Sequence, residues 1–130
     1  MKLSTKTRYA VRSLIDIALF GKNKPLSVIE ISSREDISER YLELIFAKLK
    51  KAGFITSSRG SHGGYSLAKD PNEITMQDII NVMELSSSIV DDQDTTDPLK
   101  QILYNEIWAP IDEKLDNYLS NITLQDLIKD

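Results

Sequence analysis

Apolar residues recur at helical spacing within residues 38–53. Positions i, i+3, i+4 and i+7 of this stretch are Leu42, Ile45, Phe46 and Leu49. This spacing puts them on one face of a helix. Ser38 precedes the run, and its hydroxyl can accept a hydrogen bond from a free amide of the first turn. Gly53 follows the run, where glycine commonly ends a helix. The pattern therefore predicts a helix that begins and ends at defined residues.

The opposite face of the predicted helix is polar. It carries Glu39, Arg40, Glu43, Lys48 and Lys51. Residues 54–58 and 65–68 then predict two short strands, joined by a glycine-rich tip that contains Arg59. A capped helix with a polar outer face, followed by a hairpin with an arginine at its tip, is typical of a winged helix. In this arrangement the helix enters the DNA major groove, and the arginine contacts phosphate or the minor groove.

Two further helices are predicted before this one. Ser4 or Thr5 can cap a first helix that ends near Phe20. Ser27 and Glu30 form a capping box, in which each side chain satisfies a backbone amide near the other residue. The short helix that follows ends near residue 35, and residues 35–37 form a turn. Two short helices joined by a tight turn constitute a helix-turn-helix whose second helix contacts DNA.

The second half begins with a turn at residues 70–72. A helix capped by Thr75 follows, with Met76, Ile79, Ile80 and Met83 on one face. Residues 86–97 are acidic and predict a linker. Asp97 and Pro98 then begin a long helix, because aspartate favours the N-cap and proline the first helical position.

The long helix carries two apolar stripes that are separated by Pro110, which we expect to kink or break it. One stripe comprises Leu99, Ile102, Leu103 and Ile107, and the other comprises Ile111, Leu115, Tyr118, Leu119 and Ile122. One small domain cannot cover both, so we expect a dimer interface that includes Leu103, Ile107, Ile111, Leu115 and Tyr118. A last short helix, capped by Thr123, is expected to dock through Leu124, Leu127 and Ile128.

Charge is distributed unevenly along the 130 residues. The whole chain has a net charge of −4. Residues 1–69 contain 13 basic and 6 acidic residues, whereas residues 70–130 contain 3 and 14. The alternative is chance segregation of solvated charges. Together with the winged-helix pattern, the asymmetry favours a basic half that meets a polyanion, namely double-stranded DNA. The N-terminal stretch has neither signal-peptide nor membrane-span character, so we expect a cytoplasmic protein with no membrane contact.

The residue types present argue against an enzyme. The chain has no cysteine, which excludes disulfides and thiolate metal sites. Its single histidine, His62, excludes a metal site built on a pair of histidines. The glycines of the predicted tip are not a dinucleotide fingerprint, since a strand and not a helix follows them. We therefore expect no catalytic residues, no metal and no cofactor.

Several segments resemble the Rrf-type winged-helix regulators. The matching stretches are residues 2–6, 8–10, 37–43, 48–53, 59–60, 63–67, 73–75, 78–80 and 123–127. The most specific part is the wing, in which Arg59 and Gly60 are followed by Gly63, Gly64 and Tyr65. The resemblance covers nearly the whole chain. It implies a homodimer built on the long helix that binds a roughly palindromic operator.

Two departures from this family matter. Its cluster-binding members carry three cysteines in the stretch that corresponds to residues 86–107, where this chain has none. The resemblance therefore favours a branch without an iron–sulfur cluster, in which a partner protein or a metabolite regulates DNA binding. Leu44 occupies a position where some members have a polar residue that contacts bases.

The sequence thus predicts a mainly α-helical protein with a small β-hairpin wing, acting as a transcription repressor. Its expected parts are a winged helix-turn-helix at 1–85 (helix-turn-helix about 28–52, wing 54–68), an acidic linker at 86–97, and a dimerisation helix with a docking helix at 98–130. The candidate DNA contacts are Thr5, Lys6, Arg8, Ser38, Glu39, Arg40, Tyr41, Glu43, Arg59, Gly60 and His62. Tyr65 is expected to pack at the base of the wing. The alternative is a protein-interaction module whose winged helix no longer binds DNA.

Overall fold

The structure is a computed structural model that describes residues 3–85 and 97–128. Its helices are α1 (Thr5–Phe20), α2 (Val28–Glu35), α3 (Glu39–Lys51), α4 (Met76–Met83), α5 (Pro98–Leu103), α6 (Ala109–Ser120) and α7 (Leu124–Leu127). Strands β1 (Ile55–Ser58) and β2 (Gly64–Leu67) form the hairpin. The predicted fold class, mainly helical with a two-stranded wing, is confirmed. The predicted linker lies outside the described residues except for Asp97.

Helices begin where side chains satisfy the free backbone amides of the first turn. The Ser38 hydroxyl accepts from the Tyr41 amide at 3.2 Å. Ser27 and Glu30 cap α2 reciprocally, as do Thr75 and Asp78 at α4. Ser4, Asp97 and Thr123 cap α1, α5 and α7. These contacts span only two to three residues, which explains why the sequence pattern predicts them.

The hydrophobic core lies among α1, α2, α3 and α4. Its buried side chains include Ala10, Leu14, Ile17, Ile31, Leu42, Ile45, Phe46, Leu49, Ile79 and Met83. The four apolar residues predicted for the face of α3 are all buried. Ile79, Ile80 and Met83 of α4 are also buried, whereas Met76 is half-buried.

A buried ion pair joins α1 to α2. Asp16 is 1% exposed, and both of its carboxylate oxygens accept hydrogen bonds of 2.9 Å from the Arg34 guanidinium. The Arg34 guanidinium also lies 4.6 Å from the centre of the Phe20 ring. A buried carboxylate needs such a partner, because desolvation without compensation is costly.

The wing is held against the segment that leads into α2. Strands β1 and β2 pair antiparallel from Ile55–Leu67 to Ser58–Gly64. Leu26 and Tyr65 exchange two backbone hydrogen bonds of 2.9 Å and 2.7 Å. Gly64 has a φ of +151°, and a Cβ there would lie 2.3 Å from the Leu26 carbonyl oxygen. Only glycine permits this close approach, so Gly64 of the wing motif has a structural role.

The long helical segment does not break at Pro110, contrary to one of the two expected outcomes. Residues 104–108 form a π turn between α5 and α6, and the backbone remains helical on both sides. The amide of Ala109 donates to the Tyr104 carbonyl, five residues earlier. Pro110 lacks an amide hydrogen, and it lies just after this turn, where the α-helical hydrogen-bond pattern is already interrupted.

The chain returns to the core after α6. The amide of Met76 donates to the Ile122 carbonyl, and the amide of Leu124 donates to the Ile74 carbonyl, both at 2.8 Å. Leu124 is buried in the core, as expected, and Ile128 packs against it in part. Leu127 is 37% exposed, so it contributes less to this docking than Leu124 does.

Candidate nucleic-acid interface

The outer face of α3 is exposed and mostly charged. Glu39, Arg40 and Glu43 are exposed, so the polar face of this helix is open to solvent. Leu44 is 56% exposed on the same helix and adds an apolar contact surface. Ser38 is exposed too, but its hydroxyl already caps α3. The face therefore offers hydrogen-bond donors, acceptors and one aliphatic group.

An aromatic pair joins the start of α3 to α1. The rings of Tyr41 and Tyr9 meet edge to face, with centroids 5.5 Å apart. The Arg12 guanidinium lies 5.4 Å from the centre of the Tyr9 ring, and it also donates to the Glu35 carbonyl and carboxylate. Tyr41 is thus half-buried by a protein contact, and this contact places the start of α3 beside the second turn of α1.

The N-terminus of α1 is tied to the end of α4. The Glu84 carboxylate accepts hydrogen bonds from the Ser4 amide at 2.7 Å and from the Thr7 hydroxyl at 2.8 Å. These bonds lower the pKa of Glu84, because they favour its charged form. The contact fixes the helix end that carries Thr5, Lys6 and Arg8. Of these, Arg8 donates to the Thr5 hydroxyl at 3.3 Å.

The tip of the wing is exposed and lies beyond a tight turn. Arg59, Gly60 and His62 are all exposed, and the Gly63 amide donates to the Gly60 carbonyl at 3.0 Å. Gly60 has a φ of +102°, a conformation that other residues rarely adopt. The turn therefore presents the arginine side chain to solvent.

Two contacts fix the wing against α3. The Lys50 ammonium donates to the Ser57 hydroxyl at 2.6 Å. The Tyr65 ring packs against Phe46, with centroids 4.6 Å apart, which fits the predicted packing role of this tyrosine. Together with the Tyr41–Tyr9 pair, these contacts hold the wing, α3 and α1 in fixed relation.

Two residues that shape this surface were not among the predicted site residues. Glu84 lies 80 positions from Ser4, so no local pattern indicates their contact. Lys50 could have been predicted from the sequence, because it belongs to the run of basic residues at the end of α3. Cations in that last turn also complement the helix dipole, and this explains the run without reference to DNA.

The donor groups of the chain do not fit a thiolate-ligated metal cluster. None of its 130 residues is cysteine. Within residues 3–85 and 97–128, no three histidine, aspartate or glutamate side chains converge as metal ligands. In the same ranges, no helix has the length and apolar character needed to cross a membrane.

A helix-turn-helix with an exposed polar second helix, followed by a basic β-hairpin, defines a winged-helix DNA-binding protein. A profile of the Rrf2 family, described as an iron-dependent transcriptional regulator, matches residues 3–130. The chain belongs to the Rrf2 family of transcription regulators. The predicted family is thereby confirmed.

Individual relatives agree with this assignment. The chain is 38% identical to the protein rrf2 of Nitratidesulfovibrio vulgaris over 133 residues, covering all of this chain and 89% of that protein. It is 37% identical to the transcriptional regulator IscR of Vibrio campbellii, covering 100% of this chain and 79% of the relative. The structure of CymR, the global cysteine regulator of B. subtilis, superimposes with a TM-score of 0.85 at 36% identity, covering 98% of this chain and 96% of CymR. Both IscR and CymR are named as regulators and not as enzymes.

Proposed function

We propose that this protein is a homodimeric repressor that binds a roughly palindromic operator without an iron–sulfur cluster. The observation that carries the proposal is the fixed arrangement of three exposed groups. These are the polar face of α3, the arginine at the wing tip and the basic start of α1. Contacts of 4.6 Å and 5.5 Å between aromatic rings hold α3 to the wing and to α1.

In this proposal, α3 enters the major groove. Arg40 can donate to guanine and Glu43 can accept from cytosine, so both can distinguish base pairs. Arg59 contacts phosphate or the minor groove, and Gly60 and His62 lie beside it at the tip. Lys6 and Arg8 position the domain on phosphates.

The test of DNA binding begins with recovery of genomic fragments that the purified protein retains. Affinity for the shared site should fall steeply with salt, with a log–log slope of about −0.9 for each phosphate neutralised. Arg59→Ala should weaken operator binding by about 1–3 kcal/mol. Lys69→Ala removes an exposed lysine beyond the wing and is the matched control, with little change expected. Affinity that is independent of salt would support the alternative of an interaction module.

Exposed apolar side chains support the dimer. Within residues 98–120 no side chain is buried, and five large apolar ones are between 37% and 66% exposed: Leu99, Ile102, Ile107, Ile111 and Tyr118. Leu103 and Leu115 are half-buried. A second copy of the chain would cover this apolar surface, and two-fold symmetry would place two α3 helices about one DNA turn apart.

The dimer can be tested with one exposed apolar residue. Ile107→Glu should produce monomers in sedimentation experiments, while circular dichroism shows a folded domain. Operator affinity should fall by roughly a hundredfold or more, because the two half-sites are no longer linked. Asn117→Glu adds the same charge at an exposed polar position and should leave the dimer intact. A wild-type monomer at micromolar concentration would contradict the proposal.

The absence of cysteine supports a protein without a cluster, since iron–sulfur clusters are held mainly by cysteine thiolates. Protein purified anaerobically should be colourless and contain no stoichiometric iron and sulfide.

Deletion of the gene should raise transcription from the recovered operator if the protein is a repressor. A fall in transcription would identify an activator.

A further inference from the structure

A cleft of about 590 Å³ lies between the end of α1, the α1–α2 loop, the base of the wing and α7. Its lining includes Ile17, Leu67, Ile128, Lys22, Lys24 and Asp70. This volume is typical of small-molecule sites, which combine apolar walls with a few polar groups. The cleft is separate from the polar face of α3 and from the wing tip, so the proposed DNA contacts do not use it.

Charges of both signs stand on different walls of the cleft. Lys22 and Lys24 lie on the α1–α2 loop, whereas Asp70 follows β2. The Asp70 carboxylate is oriented by the Asn72 amide, which donates to it at 3.1 Å. A carboxylate can accept several hydrogen bonds, so this contact leaves it able to bind a ligand. A ligand with one carboxylate and one ammonium group would pair with both walls.

We propose that the cleft binds a free α-amino acid with an apolar side chain. Its carboxylate faces the two lysines, its ammonium group faces Asp70, and its side chain lies against the half-buried Leu67 and Ile128. This binding regulates DNA affinity, a role that rests on the proposed function.

Direct contacts connect the cleft with α3. The loop that carries Lys22 and Lys24 continues into Leu26, which exchanges two backbone hydrogen bonds with Tyr65. The Tyr65 ring packs against Phe46 of α3 at 4.6 Å. A ligand that shifts the loop therefore acts on the wing and on α3, which must both fit the DNA at once.

Binding can be measured by calorimetry on the full chain without DNA, using each proteinogenic amino acid as the probe. At least one apolar amino acid should bind saturably. Its N-acetylated form and its amidated form should each bind about tenfold more weakly, because each loses one charged contact. Absence of saturable binding by every amino acid would overturn the proposal.

Variants locate the site. Lys22→Ala with Lys24→Ala, and separately Asp70→Asn, should each weaken binding about tenfold or more. Asparagine keeps an acceptor for the Asn72 amide, so the turn is preserved. Lys51→Ala removes an exposed lysine outside the cleft and should leave the affinity for the amino acid unchanged. Unchanged binding in the cleft variants would place the ligand elsewhere and refute the assignment.

The regulatory role needs a second measurement. Adding the bound amino acid should change operator affinity by about fivefold or more. A ligand that binds but leaves operator affinity unchanged would refute its role as an effector. The operator affinity of wild-type protein without amino acid tests the proposed DNA binding alone. Failure of the proposed function is therefore distinguished from failure of the proposed regulation.

Discussion

Arg34→Met should strongly destabilise the protein, because it leaves the Asp16 carboxylate buried without its partner. Asp16 loses two charge-assisted hydrogen bonds of 2.9 Å. The Asp16 side chain is 0% exposed, so water cannot replace them. Breaking a buried pair in this way costs about 3–5 kcal/mol. The stacking of Arg34 on Phe20 is also lost, but methionine retains part of the packing.

This loss is large relative to the stability of a small domain, which is about 5–15 kcal/mol. Urea denaturation at pH 7, monitored by circular dichroism, should show a lower midpoint with an unchanged slope. Thermal unfolding should occur roughly 10–20 °C lower. The same substitution at an exposed arginine is the control. Arg12→Met removes a pair in which the arginine is 47% exposed, and it should cost about 1 kcal/mol or less.

A double variant separates the ion pair from general packing effects. Asp16→Leu combined with Arg34→Met replaces both charges by apolar groups and should recover much of the lost stability. A single Arg34→Met variant that costs less than about 1 kcal/mol would refute the reasoning. So would a double variant that is no more stable than the single one, because the unpaired carboxylate would then not be the cause.

Three further substitutions test other contacts. Burial and the neighbouring Asp16 raise the pKa of Glu35, so ionised Glu35 destabilises the folded state at any pH above its unfolded pKa. Urea titrations should therefore show that Glu35→Gln is more stable than wild type at pH 7 but not at about pH 4. The Ser4 amide lowers the pKa of Glu84, so Glu84→Gln should be less stable than wild type at pH 7, and the difference should vanish as the pH falls. The same pH trend in the Glu35→Gln and Glu84→Gln variants would contradict these directions. Gly64→Ala should lower the free energy of unfolding by about 1–3 kcal/mol, which is more than Gly60→Ala should. Both glycines have a positive φ, but a Cβ at Gly60 would have no atom within 4 Å. Equal losses of stability in thermal unfolding would show that backbone strain alone is responsible.

Features that depend on neighbours in the sequence were predictable. The caps at Ser38, Thr75 and Asp97 involve residues two or three positions away, and the buried face of α3 follows from its spacing. The hairpin follows from two short strands and a glycine-rich tip. Each of these is determined by local hydrogen bonding or by periodicity, and both are visible in a single sequence.

Features that depend on distant residues were not predictable. In the sequence Asp16 is a polar interruption of an apolar stretch, and only the fold places it beside Arg34. Glu84 meets Ser4 across 80 positions. The role of Gly64 also required the fold, since its close neighbour is the Leu26 carbonyl.

The contacts around α3 constrain how DNA binding can be regulated. Tyr41, Phe46 and Lys50 tie the start, middle and end of α3 to α1 and to the wing. A signal that moved α3 alone would have to break several of these contacts at once. Regulation is less costly if it moves larger units, either the wing through the Leu26–Tyr65 bridge or α1 through Glu84. The first route starts at the cleft, and the second starts at the end of α4, where the chain leaves towards the long helix. Both would change DNA affinity by altering the relative position of rigid parts, because the packed core between them does not deform continuously.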